Sequence, residues 1–220
     1  MWISGPAKRV SAAGRSGTLR PGFHLEPGMR VGLFGGSFNP AHEGHAHVAE
    51  TALKRLGLDK VIWLVSPQNP LKSASDSASL AARMASARRQ ARGPHMIVSD
   101  VESRAGSRYT IDILRMLGQR FPGVRFVWIM GGDNLNSLHA WRGWADIMRA
   151  MPVAVIARPG AELKSRSSPA ARRFAHARLS SREAPRLAGL KAPAWLYLRA
   201  PFNFASSTAL RARLKAAPQA

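Results

Sequence analysis

His42 and His45 are the two side chains of this 220-residue chain whose type and spacing best suit chemistry on a phosphate. They close the run Gly35-Gly36-Ser37-Phe38-Asn39-Pro40-Ala41-His42-Glu43-Gly44-His45, just where Val48, Ala49, Ala52, Leu53 and Leu56 begin a helical pattern. Three residues apart on a first helical turn, both rings can face one bound group. Ahead of them the apolar run from Val31 to Phe34 reads as a strand, and Gly35 and Gly36 let the backbone approach a ligand with no Cβ in the way. Strand, glycine turn and helix start make an anion site, because the first N–H groups of a helix lack internal partners and sit at its positive end. A zinc pair would need a third ligand that the sequence does not supply, so metal ligation by histidine is set aside.

A second candidate stands near the other end, in Ser206-Ser207-Thr208-Ala209-Leu210-Arg211, which opens a final helix. One hydroxyl there would serve as an ordinary N-cap worth about 1 kcal/mol. Three in a row, with Arg211 one turn on, exceed what capping requires. They suit a second anion corner, with helix donors for one phosphate and a guanidinium fork for another.

The elements that must position these corners follow from periodicity. Strands are expected at Arg30–Phe34, Lys60–Val65, His95–Ser99, Val124–Met130, Pro152–Ala157 and Trp195–Leu198. Helices are expected at Glu43–Leu56, Ser77–Ala91 and Tyr109–Phe121, with a short one ending at Ile147 and Met148. Ser66 to Lys72, holding two prolines, is a loop. Arg158 to Lys191 is polar and Arg-rich and reads as a long surface excursion with a piece of helix. Continuous apolar strands imply burial on both faces, and their alternation with helices predicts a doubly wound, Rossmann-like α/β domain with a parallel sheet. Ligands of such sheets bind beyond the carboxyl ends of the strands, where the loops after the first, second and fourth strands converge. Residues 1–28 lack a period and are expected to form a disordered basic extension, with a single domain over 29–217.

Bulk properties agree with one globular domain: apolar residues make up 45% and charged residues 20% of the chain. No window reaches the roughly 18 apolar residues that span a bilayer, so no membrane association is expected. The absence of cysteine excludes disulfides and thiolate metal sites and suits a reducing cytoplasm. A formal net charge of +21 invites a nucleic-acid reading. The basic residues are nevertheless spread from Arg9 to Arg213 without interleaved stacking aromatics, so no specific nucleic acid is expected; long-range attraction for small polyphosphates remains.

The first motif resembles that of the nucleotidylyltransferase superfamily, the His-x-Gly-His class, and Ser206 to Arg211 resembles the second signature of the adenylyltransferases of NAD biosynthesis. Three further stretches narrow the resemblance to bacterial nicotinate-nucleotide adenylyltransferases: Ser66 to Lys72, Ser107-Arg108-Tyr109-Thr110-Ile111-Asp112, and Met130-Gly131-Gly132-Asp133-Asn134-Leu135 followed by Trp141. The likeness spans about Arg30 to Leu214. Asn39 stands where many members carry Asp, Leu71-Lys72 replaces the usual Pro-His-Lys ending, and Arg142 follows the tryptophan where an aromatic residue or His is frequent.

The resemblance implies transfer of AMP from ATP to nicotinate mononucleotide, giving deamido-NAD and pyrophosphate, with magnesium arriving on the ATP phosphates rather than in a protein metal site. His42, His45 and Arg211 are then the expected catalytic residues. ATP is expected to meet Gly35, Gly36, Ser37, Phe38, Lys72, Gly131, Asp133, Ser206, Ser207 and Thr208. The acceptor nucleotide is expected at Thr110, Trp141 and Arg142, with Tyr109 as packing and Asp112 as structural. Open alternatives are nicotinamide mononucleotide or phosphopantetheine as acceptor and, from a different class, a basic nucleic-acid-binding protein. The sequence sets no oligomeric state.

Overall fold

The computed structural model describes residues 21–67, 78–107, 109–157 and 167–199. Seven strands form one sheet: β1 Arg30–Gly36, β2 Lys60–Val65, β3 Met96–Ser99, β4 Arg125–Gly131, β5 Val153–Ala157, β6 Arg178–Leu179 and β7 Trp195–Arg199. Their spatial order is β3-β2-β1-β4-β5-β7-β6, and every neighbouring pair is parallel. Helices alternate with the strands: α1 Glu43–Arg55, α2 Leu80–Gln90, α3 Val101–Arg104, α4 Thr110–Arg120, α5 Gly132–Ser137, α6 Trp144–Ala150 and α7 Pro169–Arg173. The order reverses between β1 and β4, where the chain crosses from one half of the sheet to the other; this switch point opens a crevice at the carboxyl edge.

Alternate residues of each strand feed two cores. Val31, Leu33, Ile62, Leu64, Trp128, Met130 and Val155 pack with Ile113, Leu114 and Leu117 of α4 and Ile147 and Met148 of α6. Phe34, Trp63, Val65, Ile129 and Ile156 pack on the other face with Val48, Ala49 and Ala52 of α1 and Met84 and Ala87 of α2. With both faces covered, the central strands are apolar between their ends, as buried parallel strands are. Among the described residues no helix is long and apolar enough to cross a membrane.

Three expectations are corrected. The stretch read as a surface excursion also feeds the core: among its described residues Ala170, Ala171, Phe174, Ala184, Leu187 and Ala188 are buried while most of the others stay exposed, and β6 adds a seventh, edge strand. Its arginines mask an apolar spacing of three and four residues, because long cationic side chains cover apolar surface while their heads stay in water. Residues 21–28, assigned to the extension, lie on the domain: Leu25 enters the core, Phe23 stacks on Phe121 at 5.8 Å, and Arg104 donates to the Pro21 carbonyl at 2.7 Å. Finally, β1 runs two residues past Phe34, so Gly35 and Gly36 are strand residues paired with Leu64 and Val65.

Gly35 is glycine for a packing reason. A Cβ there would land on Cη2 of Trp128, with Cζ2 at 3.0 Å. Strand β1 can therefore sit beside a tryptophan-bearing β4 only if this position has no side chain. Gly35→Ala should destabilise the domain by about 1–3 kcal/mol through overpacking. In urea unfolding, combination with Trp128→Leu should cost less than the sum of the two single changes; strict additivity would show that the two residues do not compete for one space.

Candidate active site

Beyond Gly36 the chain turns through Phe38, a non-glycine residue at φ 47°. That left-handed conformation costs free energy for a side chain with a Cβ. It is offset by burial of the ring, which packs edge-on against Phe34 at 5.4 Å and His45 at 5.1 Å and lies tilted against Trp63 at 5.1 Å. A Cβ on Gly36 would lie 3.0 Å from the same ring, so the second glycine makes room for Phe38.

The two histidines begin α1. His42 is its N-cap, extended at φ −148°, and its Nδ1 accepts the Gly44 N–H at 3.1 Å. The His42 N–H donates in turn to His45 Nδ1 at 3.2 Å. Reciprocal bonds of this kind are usually made by a hydroxyl and a carboxylate; here imidazoles supply both, and two orphan donors of the helix end are satisfied. A ring nitrogen that accepts an N–H carries no proton, so the neutral rings hold theirs on Nε2 and offer that atom as donor. Ring centroids are 3.9 Å apart; His42 is 3% exposed and His45 half-buried.

Helix α2 holds this corner from behind. Ser86 Oγ accepts the Ala41 N–H at 3.0 Å, and Asn39 Oδ1 accepts the Ala78 N–H at 3.2 Å. The buried Arg83, one turn before Ser86, donates to the Ser37 carbonyl at 2.9 Å. Sequence reasoning missed Arg83 and Ser86, and the available signal was an Arg and a Ser three apart on the face of α2 that buries Met84 and Ala87.

Gly131 ends β4, the strand next to β1, and Asp133 lies in the first turn of α5 that follows, across the switch point from the histidines. Gly131 caps the short α5, and a Cβ there would collide with Oδ1 of Asp133, an exposed residue. Thr110 is the first residue of α4, which leaves the same edge of the sheet. The turn Trp141–Gly143 lies against it: Arg142 sits over the Tyr109 ring at 4.4 Å, and a Cβ on Gly143 would lie 3.2 Å from Ile111. Tyr109 therefore anchors Arg142, a role beyond the packing expected of it. Ser107 Oγ donates to Asp112 at 2.9 Å and accepts the Tyr109 N–H at 3.2 Å, so Asp112 orders the start of α4. The half-buried Trp141 packs on the core.

The described part of the site is thus two clusters at one edge, an anion corner with its facing Gly131 and Asp133, and the Thr110, Trp141 and Arg142 group. Lys72, Ser206, Ser207, Thr208 and Arg211 lie outside the described residues. Among the described residues no three His, Cys, Asp or Glu gather as a metal site. Imidazole donors and a helix end suit binding and charge stabilisation of a phosphate, and the chain has no cysteine to act as a nucleophile.

Residues 33–213 match the family model described as cytidylyltransferase-like. A relative from Caulobacter sp. (strain K31), named "Probable nicotinate-nucleotide adenylyltransferase", is 71% identical over 185 residues, covering 84% of this chain and 98% of the relative. One of the same name from Parvibaculum lavamentivorans strain DS-1 is 53% identical over 189 residues, covering 86% and 94%. The fold is similar to that of Plasmodium falciparum nicotinic acid mononucleotide adenylyltransferase complexed with NaAD, at a TM-score of 0.64 and 15% identity over 84% of this chain and 83% of that one.

A further ionisable group stands at the same edge. Glu102, in α3 just past the end of β3, is buried, and burial pushes its carboxyl up from 4.5 to about 7. The folded state keeps a proton that the unfolded chain releases, so stability falls as pH rises from about 4.5 to about 7 and is level above. The whole span corresponds to about 3 kcal/mol. Glu102→Gln should remove this slope, gaining up to about 3 kcal/mol over wild type between about pH 5 and about pH 8 in urea unfolding. A pH-independent difference would contradict it.

Proposed function

Because the chain belongs to the cytidylyltransferase-like family, among its nicotinate-nucleotide adenylyltransferases, we propose that it transfers AMP from ATP to nicotinate mononucleotide in the cytoplasm, producing deamido-NAD and pyrophosphate. The observation that carries the mechanism is the reciprocal imidazole cap, which turns both histidines into Nε2–H donors at a helix start on the switch-point edge.

The acceptor's 5′-phosphate is already an anionic nucleophile. One of its oxygens attacks the α-phosphorus of ATP, the bond from that phosphorus to the α,β-bridging oxygen breaks, and pyrophosphate leaves with the electron pair. No general base is required. The enzyme must overcome repulsion between two polyanions and hold them in line. His45 stabilises charge growing on the α-phosphate, and His42 holds the neighbouring phosphates with their water shell. Arg211, Ser206, Ser207 and Thr208 hold the departing β- and γ-phosphates, and Lys72 adds a contact. Magnesium arriving on the triphosphate would add neutralisation, held through the phosphates and the water near His42. Gly35, Gly36, Ser37 and Phe38 shape the turn around ATP, while Asp133 beside Gly131 takes ribose hydroxyls.

The acceptor's carboxylate is read by Thr110 and the turn at Trp141 and Arg142, with Trp141 against the ring. The cation held over Tyr109 favours a carboxylate over a neutral amide. Pyrophosphate release should accordingly be much faster with nicotinate mononucleotide than with nicotinamide mononucleotide or phosphopantetheine. Equal rates with the two pyridine nucleotides would remove the carboxylate-reading role.

The histidine assignment has its own test. In His45→Asn the amide oxygen can still accept the His42 N–H, so the cap survives, but the Nε2 donor is gone. Turnover should fall by about a hundredfold or more while the thermal midpoint stays near wild type. Retained turnover would refute the role.

A further inference from the structure

Arg83 is the most deeply buried cation described, at 2% exposure, and its hydrogen bonds all go to carbonyl groups. Nε donates to the Ala78 carbonyl at 3.0 Å. Nη1 donates to those of Ser37 at 2.9 Å and Ser66 at 2.6 Å, and Nη2 donates to that of Pro67. No salt bridge to a carboxylate is made from it among the described residues. Burial without a counter-ion lowers its pKa below the ordinary arginine value. A charge held this way is expensive, and an apolar side chain of similar size would serve stability as well or better. The fork therefore calls for a reason other than stability.

Its targets supply one. Ser37 follows β1 in the turn that leads to the histidines, Ser66 and Pro67 follow β2, and Ala78 opens the approach to α2. A single planar group ties together three segments at the carboxyl edge, a geometry that only a guanidinium offers. The bond to the Ser37 carbonyl also fixes a peptide plane. In a trans peptide the N–H points opposite to the C=O, so the Phe38 N–H is turned away from α2. Three residues on, Ser86 fixes Ala41 through its N–H and carbonyl, at 3.0 and 3.4 Å.

Resting on the AMP-transfer reading, we infer that Arg83 is a positioning residue for ATP, acting through the Ser37 carbonyl to hold the phosphate turn in its binding geometry. It touches no reacting atom in this role. Its fork matters more than its charge, because the bonds run in several directions to fixed backbone groups.

Arg83→Lys keeps the charge and loses the fork, and Arg83→Gln keeps a planar donor and loses the charge. For each folded variant, affinity for a non-hydrolysable ATP analogue is measured by calorimetry, and kcat and both KM values are measured per folded molecule. In Arg83→Lys we expect ATP-analogue affinity to fall about tenfold or more and kcat about a hundredfold, with KM for nicotinate mononucleotide within about twofold of wild type. Wild-type ATP affinity in either folded variant, or equal weakening of both substrates, would overturn the inference. Should Arg83→Lys fail to fold, Arg83→Gln and restoration of ATP-analogue affinity in Arg83→Ala by added methylguanidinium decide it. Inactivity of the wild type would bring down the reaction assignment alone, since analogue binding reads Arg83 without turnover.

Discussion

Strand β1 is the constraint on which the rest depends. It is hydrogen-bonded along its length to β2 on one side and β4 on the other, both parallel to it. Parallel pairing sends every strand end to the same edge, and the reversal of order at β1 leaves a gap in which loops from both halves of the sheet meet. That central position has a steric condition. Gly32, Gly35 and Gly36 face Ile129, Trp128 and the chain's own Phe38, and a Cβ at any of them would meet those side chains at 3.0 Å or closer. Gly35 and Gly36, first read as openings toward a ligand, are thus concessions to internal packing.

On the proposed function, the imidazole cap has catalysis and folding drawing on one set of atoms. Each Nδ1 is engaged by a backbone N–H of the helix start, and this orients the rings and selects the tautomer. Orientation is normally the task of a supporting residue, as in a histidine aligned by a carboxylate. Here the peptide backbone does it, so the spacing of the two histidines becomes a requirement of the cap as well as of the ligand. Phe38, wedged between Phe34, Trp63 and His45, transmits the same order from the core to the turn.

The fold was legible because its signals were local and redundant. Continuous apolar runs at Lys60–Val65 and Val153–Ala157 could hardly be other than buried parallel strands, and both stand where they were expected. The corner between β1 and α1 was legible for the same reason, as strand, glycines and helix lie contiguously in the chain. What escaped was non-local or disguised. The apolar spacing of Ala184, Leu187 and Ala188 is diluted by Arg182 and Arg186, and a two-residue edge strand such as β6 carries no period at all. Arg83 reads as one more arginine in an Arg-rich helix; that its donors reach Ser37, 46 positions away, is a property of the assembled layers alone. Tyr109 likewise acquires its partner, Arg142, only when two loops meet.

These examples bear on the net charge of +21, which composition alone invites one to treat as a diffuse surface property. Part of the guanidinium content has specific work instead. Arg83 and Arg104 donate to backbone carbonyls, and Arg120, Arg142, Arg149, Arg173 and Arg178 lie over aromatic rings. Stacking and multidentate donation both use the flat, delocalised cation, and lysine reproduces neither well. The excess of arginine over lysine, which base composition could produce without selection, therefore has structural consequences in this fold. On the proposed function, electrostatic attraction of a polyphosphate would survive exchange of Arg83 for lysine, whereas the fork of bonds that holds the Ser37 turn would not.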